Sequence, residues 1–190
     1  MGRVVNTRAL RGGAVSAGAV REHRERAPSS VKVGIVTAST SRYAAFRRGE
    51  RVVDDSGDAV EEVMRARGYS VVRYGVVDDD VKQIREAVLR GIAEGCDAFV
   101  VVGGTGVTAR DVTVEAIRPL FEKELPGFGE VLRLESYRRI GAAGMLSRAT
   151  AGVVRGAAVF AFPGSPDGAR LAAELIAEEL PHLVGLIRGS

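Results

Sequence analysis

The strongest constraint on the fold is an apolar run that ends abruptly in glycine. Residues 97–102 finish in three valines, and Gly103, Gly104, Thr105 and Gly106 follow at once. A strand that leads into such a turn leaves backbone N–H groups at the carboxyl edge of a sheet, where open α/β sheets bind ligands. Because glycine has no Cβ, its backbone can closely approach a phosphate. This stretch therefore predicts a phosphate-binding loop after a buried strand.

Two other predicted strands end in similar residues. Residues 31–36 lead into a hydroxyl-rich turn at 37–42, and residues 157–162 lead into a Pro-Gly-Ser turn at 163–165. Segments with the apolar spacing of helices lie between the strands. This alternation predicts a three-layer α/β fold, in which a mostly parallel sheet is flanked by helices on both faces. Parallel strands would bring all three turns to one edge of the sheet.

Acidic residues stand beside the predicted phosphate loop. Residues 69–77 form the second predicted strand, which ends in Asp78, Asp79 and Asp80. A helix cap needs one acid, so Asp79 or Asp80 can cap the next helix, and Asp78 is left over. Asp111 follows the glycine loop. Mg²⁺ binds through one or two carboxylates plus substrate phosphates, so Asp78 and Asp111 suit nucleotidyl or phosphoryl transfer.

Turn chemistry gives three more local predictions. Residues 43–53 are basic, and their apolar residues show no regular spacing, which predicts irregular structure. Asp55 or Ser56 is expected to cap the helix that follows. Residues 126–130, Pro-Gly-Phe-Gly-Glu, are expected to form a turn before a polar helix at 131–139.

Charge and composition indicate one globular domain at 31–190 after a basic tail. Residues 1–30 hold six arginines and two glutamates, so the remainder is nearly neutral although the net charge is +3. The tail is expected to be disordered, and the neutral remainder argues against nucleic-acid binding by the core. No apolar run approaches the ~20 residues of a membrane span. The single cysteine, Cys96, permits no internal disulfide and favours a cytoplasmic location.

Several common sites do not match the sequence. A Walker loop needs a lysine after its glycines, and none follows Gly106. Residues 104–109 match the dinucleotide pattern GxGxxA, but they follow the third strand, and no acid ends a strand ~20 residues later. The two histidines, His23 and His182, lie in the tail and in the last helix, which argues against a histidine triad or a histidine-bound metal.

Several short motifs occur in an order that resembles a known family. They are GGTG followed by Thr108 and Asp111, then PGFGE, then Ser147-Arg148, and then PGSP from Pro163. This order resembles the MoaB/MogA family of molybdenum cofactor biosynthesis over about residues 31–188. The corresponding modules of gephyrin and plant Cnx proteins are similar.

The resemblance implies an α/β protein that forms trimers or hexamers. It also implies Mg²⁺-dependent adenylylation of molybdopterin by ATP, with adenylyl-molybdopterin and pyrophosphate as products. In such a reaction the pterin phosphate attacks the nucleotide and no enzyme nucleophile is needed. A downstream metal-insertion protein would be a partner. A non-catalytic, oligomeric protein of the same pathway that binds pterin or nucleotide is the alternative.

The resemblance also implies roles for particular residues. Asp78 and Asp111 would be the catalytic acids and the ligands of Mg²⁺. The residues expected to bind substrate or nucleotide are Gly103, Gly104, Thr105, Gly106, Ser147, Arg148, Pro163, Gly164 and Ser165.

Overall fold

A computed structural model describes Pro28 and residues 30–189. The predicted basic tail therefore lies almost wholly outside the described residues. In the part that is described, no helix combines the length and the apolar character needed to cross a lipid bilayer. Cys96 is buried as a free thiol. The cytoplasmic location stays a prediction.

Strands and helices alternate along most of the chain, as the sequence predicts. Over residues 30–189 the strands are β1 (Lys32–Ala38), β2 (Ser70–Val77), β3 (Ala98–Val102), β4 (Lys123–Glu124), β5 (Thr150–Val154) and β6 (Ala157–Phe162). The helices are α1 (Thr40–Arg47), α2 (Asp55–Ala66), α3 (Val81–Ala93), α4 (Thr113–Ile117), α5 (Pro126–Ile140) and α6 (Pro166–Arg188). Short 3₁₀ turns cover Arg118–Leu120 and Gly141–Leu146.

The strands form one mostly parallel sheet in the order β2-β1-β3-β6-β5-β4. β1, β2, β3 and β6 run parallel. At one side, β5 pairs antiparallel with β6, and β4 pairs antiparallel with β5. At the centre, Val102 of β3 pairs with Thr37 of β1 and with Phe162 of β6. The carboxyl ends of these three strands therefore meet at one edge, and the predicted α/β fold is confirmed.

Both faces of the sheet are covered, which explains why its central strands are apolar throughout. Val100 and Val102 of β3 pack on the side of α2, α5 and α6. Phe99 and Val101 pack on the opposite side, with α3 and α4. The core is therefore divided into two apolar layers by the sheet, as the predicted three-layer fold requires.

The helix α1 occupies part of the stretch that was predicted to be irregular, so that prediction is wrong. None of its residues is buried, so its sequence lacks the regular spacing of apolar residues that would have indicated a helix. Its start is set instead by Ser39, whose hydroxyl accepts a hydrogen bond from the Arg42 backbone N–H at 3.4 Å. Such a side-chain cap supplies one of the acceptors that the first turn of a helix lacks.

Two helix starts also differ from the sequence predictions. Asp54 rather than Asp55 or Ser56 caps α2, and its carboxylate accepts from the Gly57 N–H at 3.2 Å. The segment predicted as a turn at 126–130 is the first part of α5. Proline suits this place because the first helical N–H has no partner within the helix.

A stability prediction follows from the tight contact between α3 and β3. A Cβ on Gly91 of α3 would overlap the ring of Phe99. Gly91→Ala should therefore lower the free energy of unfolding by about 1–3 kcal/mol, although alanine favours a helix by about 1 kcal/mol. Gly127→Ala is the control, because a Cβ there meets nothing within 4 Å, and it should leave stability unchanged or slightly higher. Urea unfolding measures both, and equal effects would contradict the prediction.

Candidate active site

A cleft of about 690 Å³ lies along the edge where β1, β3 and β6 end. Most of the residues predicted to bind substrate line it. These are Gly103, Gly104, Thr105, Gly106, Asp111, Ser147, Pro163, Gly164 and Ser165. Asp78 and Arg148 are absent from the lining, whereas Asp79 is present. The structure thus brings the three predicted loops together and leaves Asp78 and Arg148 outside the lining of the cleft.

The floor of the cleft is backbone, and it requires glycine. Gly103 has a φ of 97°, and a Cβ there would overlap the carbonyl oxygen of Ala38 at the end of β1. A Cβ on Gly164 would lie 3.0 Å from the Gly103 Cα. The Gly103 N–H donates to the Phe162 carbonyl at 3.0 Å. Glycine is needed at Gly103 because both the positive φ and the close approach exclude a side chain.

The two carboxylate oxygens of Asp79 differ, because one bonds to the start of α1 and the other has no hydrogen-bond partner in the described part of the chain. Its Oδ2 accepts from the N–H and from the hydroxyl of Thr40 in the first turn of α1, at 2.8 and 3.0 Å. Its Oδ1 is buried and has no hydrogen-bond partner among residues 30–189. A buried oxygen without a partner costs about 1–3 kcal/mol, and more when it is charged. This oxygen therefore has the character of a ligand atom for a cation or a donor.

A second unpaired oxygen lies on the same side of the glycine loop. The Thr113 hydroxyl at the start of α4 is buried and is also without a partner in the described part of the chain. Both oxygens lie against Gly104, since a Cβ there would overlap the Thr113 Oγ1 and would stand 2.7 Å from the Asp79 Oδ1. The Thr113 N–H donates to the Gly104 carbonyl at 3.0 Å, which holds this side of the loop in place.

Asp78 differs from Asp79 although the two are adjacent. The Oδ1 of Asp78 accepts from the Asp79 N–H at 2.9 Å, and its own N–H donates to the Gln83 side chain. Asp80 caps α3 by accepting from the Gln83 N–H at 2.9 Å, as one of the two sequence alternatives proposed. Successive residues at a strand end point in alternate directions, so a shift of one residue decides which acid faces the cleft. Of these two acids, Asp79 lines the cleft and Asp78 does not, and the catalytic role of Asp78 stays a prediction.

Asp111 is held in an ionised state at the far side of the loop. Its Oδ2 accepts from the Thr108 hydroxyl at 2.6 Å and from the Thr108 N–H at 2.8 Å. The hydroxyl lowers the pKa of Asp111 most, and the backbone N–H groups of Thr108 and Gly106 and the charge of Arg148 lower it further. The carboxylate therefore carries a negative charge in the cleft at neutral pH.

The second glycine-containing loop, at residues 163–165, begins α6. Ser165 is the N-cap residue and Pro166 follows it, as predicted, but the Ser165 side chain makes no capping hydrogen bond. The start of this long helix lines the cleft, where its N–H groups favour an anion. The buried Ser56 of α2 fixes the loop by donating its hydroxyl hydrogen to the Gly164 carbonyl at 2.6 Å.

Sequence reasoning missed other residues of the cleft. Arg42 and Arg139 line it from α1 and from the last turn of α5. Arg42 ends the turn predicted at 37–42, where only the hydroxyl side chains were considered as donors. Arg139 lies within a polar helix that showed no clear inward face. Both bring positive charge to a cleft that also contains Asp79 and Asp111, which suits a ligand carrying phosphates together with a cation.

Comparison with known proteins agrees with this arrangement. The family described as "Probable molybdopterin binding domain" matches residues 34–182. The chain belongs to this family. Molybdenum cofactor biosynthesis protein B of Bacillus subtilis is 42% identical over 172 residues, covering 89% of this chain and 97% of the relative. The resemblance to the MoaB/MogA family is therefore confirmed.

Two matches from Pyrococcus furiosus support the same family. A protein named molybdopterin adenylyltransferase is 41% identical, covering 87% of this chain and 96% of the relative. A crystal structure described as that of the tungsten cofactor synthesizing protein MoaB superposes with a TM-score of 0.76 at 40% identity. It covers 85% of this chain and 99% of that structure. The similarity thus extends over nearly the whole length of these two proteins.

The environment of Asp111 predicts a particular pH dependence of stability. Its pKa is lowered from the ordinary value of 3.8. A lowered pKa contributes stability above the ordinary value, and that contribution is lost as pH falls through the folded value. The melting temperature of Asp111→Asn should therefore lie below that of the unmodified protein from about pH 8 to about pH 5, and the gap should shrink below about pH 4.

The control for this measurement is Glu174→Gln, which neutralises an exposed carboxylate on α6. It should give no comparable gap. Calorimetric scans across the pH range measure both variants. A gap for Asp111→Asn that widens on acidification would contradict the expected sign.

Proposed function

We propose that this protein transfers adenylate from ATP to molybdopterin with the help of Mg²⁺. The observation that carries the proposal is the unpaired Asp79 Oδ1 beside Gly104, with the ionised Asp111 across the same glycine loop. Family membership supports it, as do relatives named molybdopterin adenylyltransferase in Pyrococcus furiosus and, as probable, in Methanocaldococcus jannaschii. ATP is a substrate in this proposal and not a bound cofactor.

The proposed reaction exchanges one phosphate linkage for another. An oxygen of the molybdopterin phosphate attacks the α-phosphorus of ATP, and a new P–O bond forms there. The bond from the α-phosphorus to the bridging oxygen breaks, and pyrophosphate leaves. The protein supplies no nucleophile, so its contribution is to hold two phosphate-bearing substrates in line and to stabilise the charge that develops.

The residues of the cleft fit a hard divalent cation. Asp79 and Asp111 in the cleft lining, and the buried Thr113 hydroxyl beside Gly104, offer oxygen atoms, which are the ligands that Mg²⁺ prefers. Among residues 30–189, no group of three or more histidine, cysteine or acidic side chains could hold a metal ion. Substrate phosphates would therefore complete the coordination of Mg²⁺. Bound Mg²⁺ would neutralise phosphate charge. Asp79 therefore replaces Asp78 in the proposed metal site.

The remaining roles divide between the two ends of the cleft. Residues 103–106 form the side of the cleft proposed for the phosphates, which can approach closely because the loop has small side chains. The Gly103 N–H is already bonded to the Phe162 carbonyl, so Gly104 and Thr105 are the proposed backbone donors. Residues 163–165 and the start of α6 lie on the side proposed for the adenylate. Ser147 has a buried hydroxyl without a partner among the described residues, and it is proposed to bind substrate together with Arg139. The downstream metal-insertion partner stays a prediction.

The proposal predicts different effects for adjacent aspartates. Asp79→Asn and Asp111→Asn should each lower kcat/KM for adenylylation by on the order of 10²–10³-fold, because each removes negative charge from the cation site. Asp78→Asn should retain most of the activity, since Asp78 does not line the cleft and its Oδ1 accepts from the Asp79 N–H. The assay combines protein, molybdopterin, ATP and Mg²⁺ and measures adenylyl-molybdopterin and pyrophosphate.

The result can contradict the proposal in two ways. Absence of product with the unmodified protein, together with tight binding of molybdopterin, would select the non-catalytic binding protein. Loss of activity in Asp78→Asn with full activity in Asp79→Asn would restore the assignment made from the sequence. Far-ultraviolet circular dichroism at the assay temperature checks that all three variants are folded there, including Asp111→Asn, which is expected to melt at a lower temperature. A difference in activity between folded variants is then not a difference in folding.

The homotrimer or hexamer implied by the family also belongs to the proposal. Large apolar side chains are exposed along α5 and the 3₁₀ turn that follows: Leu134 is 49% exposed, Tyr137 60%, Ile140 64% and Met145 68%. Contact with another copy would remove this apolar surface from water. Light scattering after size-exclusion chromatography should give three or six times the chain mass of 20.1 kDa. A monomer at micromolar concentration would contradict it.

A further inference from the structure

Arg148 faces the rear of the glycine loop and not the cleft. Its backbone N–H donates to the Thr105 carbonyl at 3.2 Å. Its guanidinium donates to the Gly106 carbonyl from Nε at 2.6 Å and to the Asp111 carbonyl from Nη2 at 2.8 Å. Glu115 of α4 completes the set by accepting from both terminal nitrogens of the guanidinium. Arg148 thus contacts three separate points of the loop between β3 and α4.

We propose that Arg148, oriented by Glu115, is a positioning residue that fixes the glycine loop and the backbone of Asp111. The inference rests on the proposed adenylyl transfer. It replaces the phosphate-binding role that the resemblance implies for Arg148. The carboxylate of Glu115 neutralises the guanidinium, and backbone carbonyls occupy its Nε and one Nη, so little of its charge is left for a substrate phosphate.

The loop needs such an external support because it has few bonds of its own. Asp111 bonds to Thr108 through its side chain and through its N–H, and the Gly104 carbonyl accepts from Thr113. Between those bonds, the carbonyls of Thr105, Gly106 and Asp111 all accept from Arg148. A planar fork of five donors can hold carbonyls that point in different directions, which a lysine ammonium cannot do in the same geometry.

The location of Glu115 gives the arrangement a firm base. It lies on α4, whose residues Thr113, Ala116 and Ile117 are buried in the core. Arg148 lowers the pKa of Glu115, chiefly through its side-chain hydrogen bonds, so the pair is ionic at neutral pH. Because the side chains are 33% and 52% exposed, the charge attraction is screened, and the fixed direction of the guanidinium matters more than the strength of the pair.

Three variants distinguish a positioning residue from a phosphate ligand. They are Arg148→Ala, Arg148→Lys and Glu115→Gln, and Arg65→Ala is the control because it removes an exposed arginine–glutamate pair on α2. Two measurements are made on each full-length variant. Amide hydrogen exchange reports the order of residues 104–112 without any substrate, and steady-state kinetics separate kcat from KM for ATP.

A positioning role predicts that all three variants speed amide exchange in the loop and that the control does not. Arg148→Ala and Arg148→Lys should lower kcat by on the order of 10²-fold, with a smaller change in KM, because misplacement of the reacting groups slows the chemical step. Glu115→Gln should act in the same direction with a smaller loss. Lysine should fail to rescue, since it keeps the charge but not the fork.

A phosphate-binding role predicts the opposite pattern and would overturn the inference. Arg148→Ala would then raise KM with unchanged loop exchange, Arg148→Lys would retain activity, and Glu115→Gln would lower KM by freeing the guanidinium. If Arg148→Ala does not fold, Arg148→Lys and Glu115→Gln give the same decision. If the unmodified protein lacks adenylyl transfer, the proposed function fails. The amide exchange of the loop and the affinity of each variant for ATP then still decide the role of Arg148.

Discussion

The architecture of the cleft depends on the close meeting of three strand ends at Gly103. β1, β3 and β6 run parallel and in register there, so the backbone of one strand end faces the backbone of the next. A side chain at this point would overlap the carbonyl of Ala38. Its absence allows the loops after β3 and β6 to lie side by side, with Gly164 against Gly103. The cleft exists because no side chain is present at this position of the sheet edge.

Charge in the cleft is arranged through the same loops. Asp79 is fixed by the first turn of α1, and Asp111 by Thr108 within the glycine loop. Each acid uses its Oδ2 to hold local structure, and the Oδ1 of Asp79 is left without a donor. The carboxylates are therefore held in place by the protein itself, and the proposed binding of a cation and phosphates would need little reorganisation.

The sequence predicted the fold well because the central strands are apolar on both faces and end in glycine or hydroxyl residues. Sequence patterns were not sufficient where a feature depends on contacts between residues that are distant along the chain or on the direction of a single side chain. The helix α1 buries no residue, so no apolar period revealed it. The choice between Asp78 and Asp79 depends on the direction of one strand end. The partners of Arg148 lie more than thirty positions away along the chain, and no local pattern encodes them.

A floor made of backbone has a consequence for how such a protein can diverge. Main-chain N–H and C=O groups are the same in every amino acid, so substitutions cannot readily alter the part of the cleft formed by residues 103–104. New substrate preferences would have to arise at the walls, where Arg42, Ser147 and Arg139 contribute side chains. The fold thus separates a backbone floor, which substitutions cannot readily change, from walls whose side chains substitutions can change.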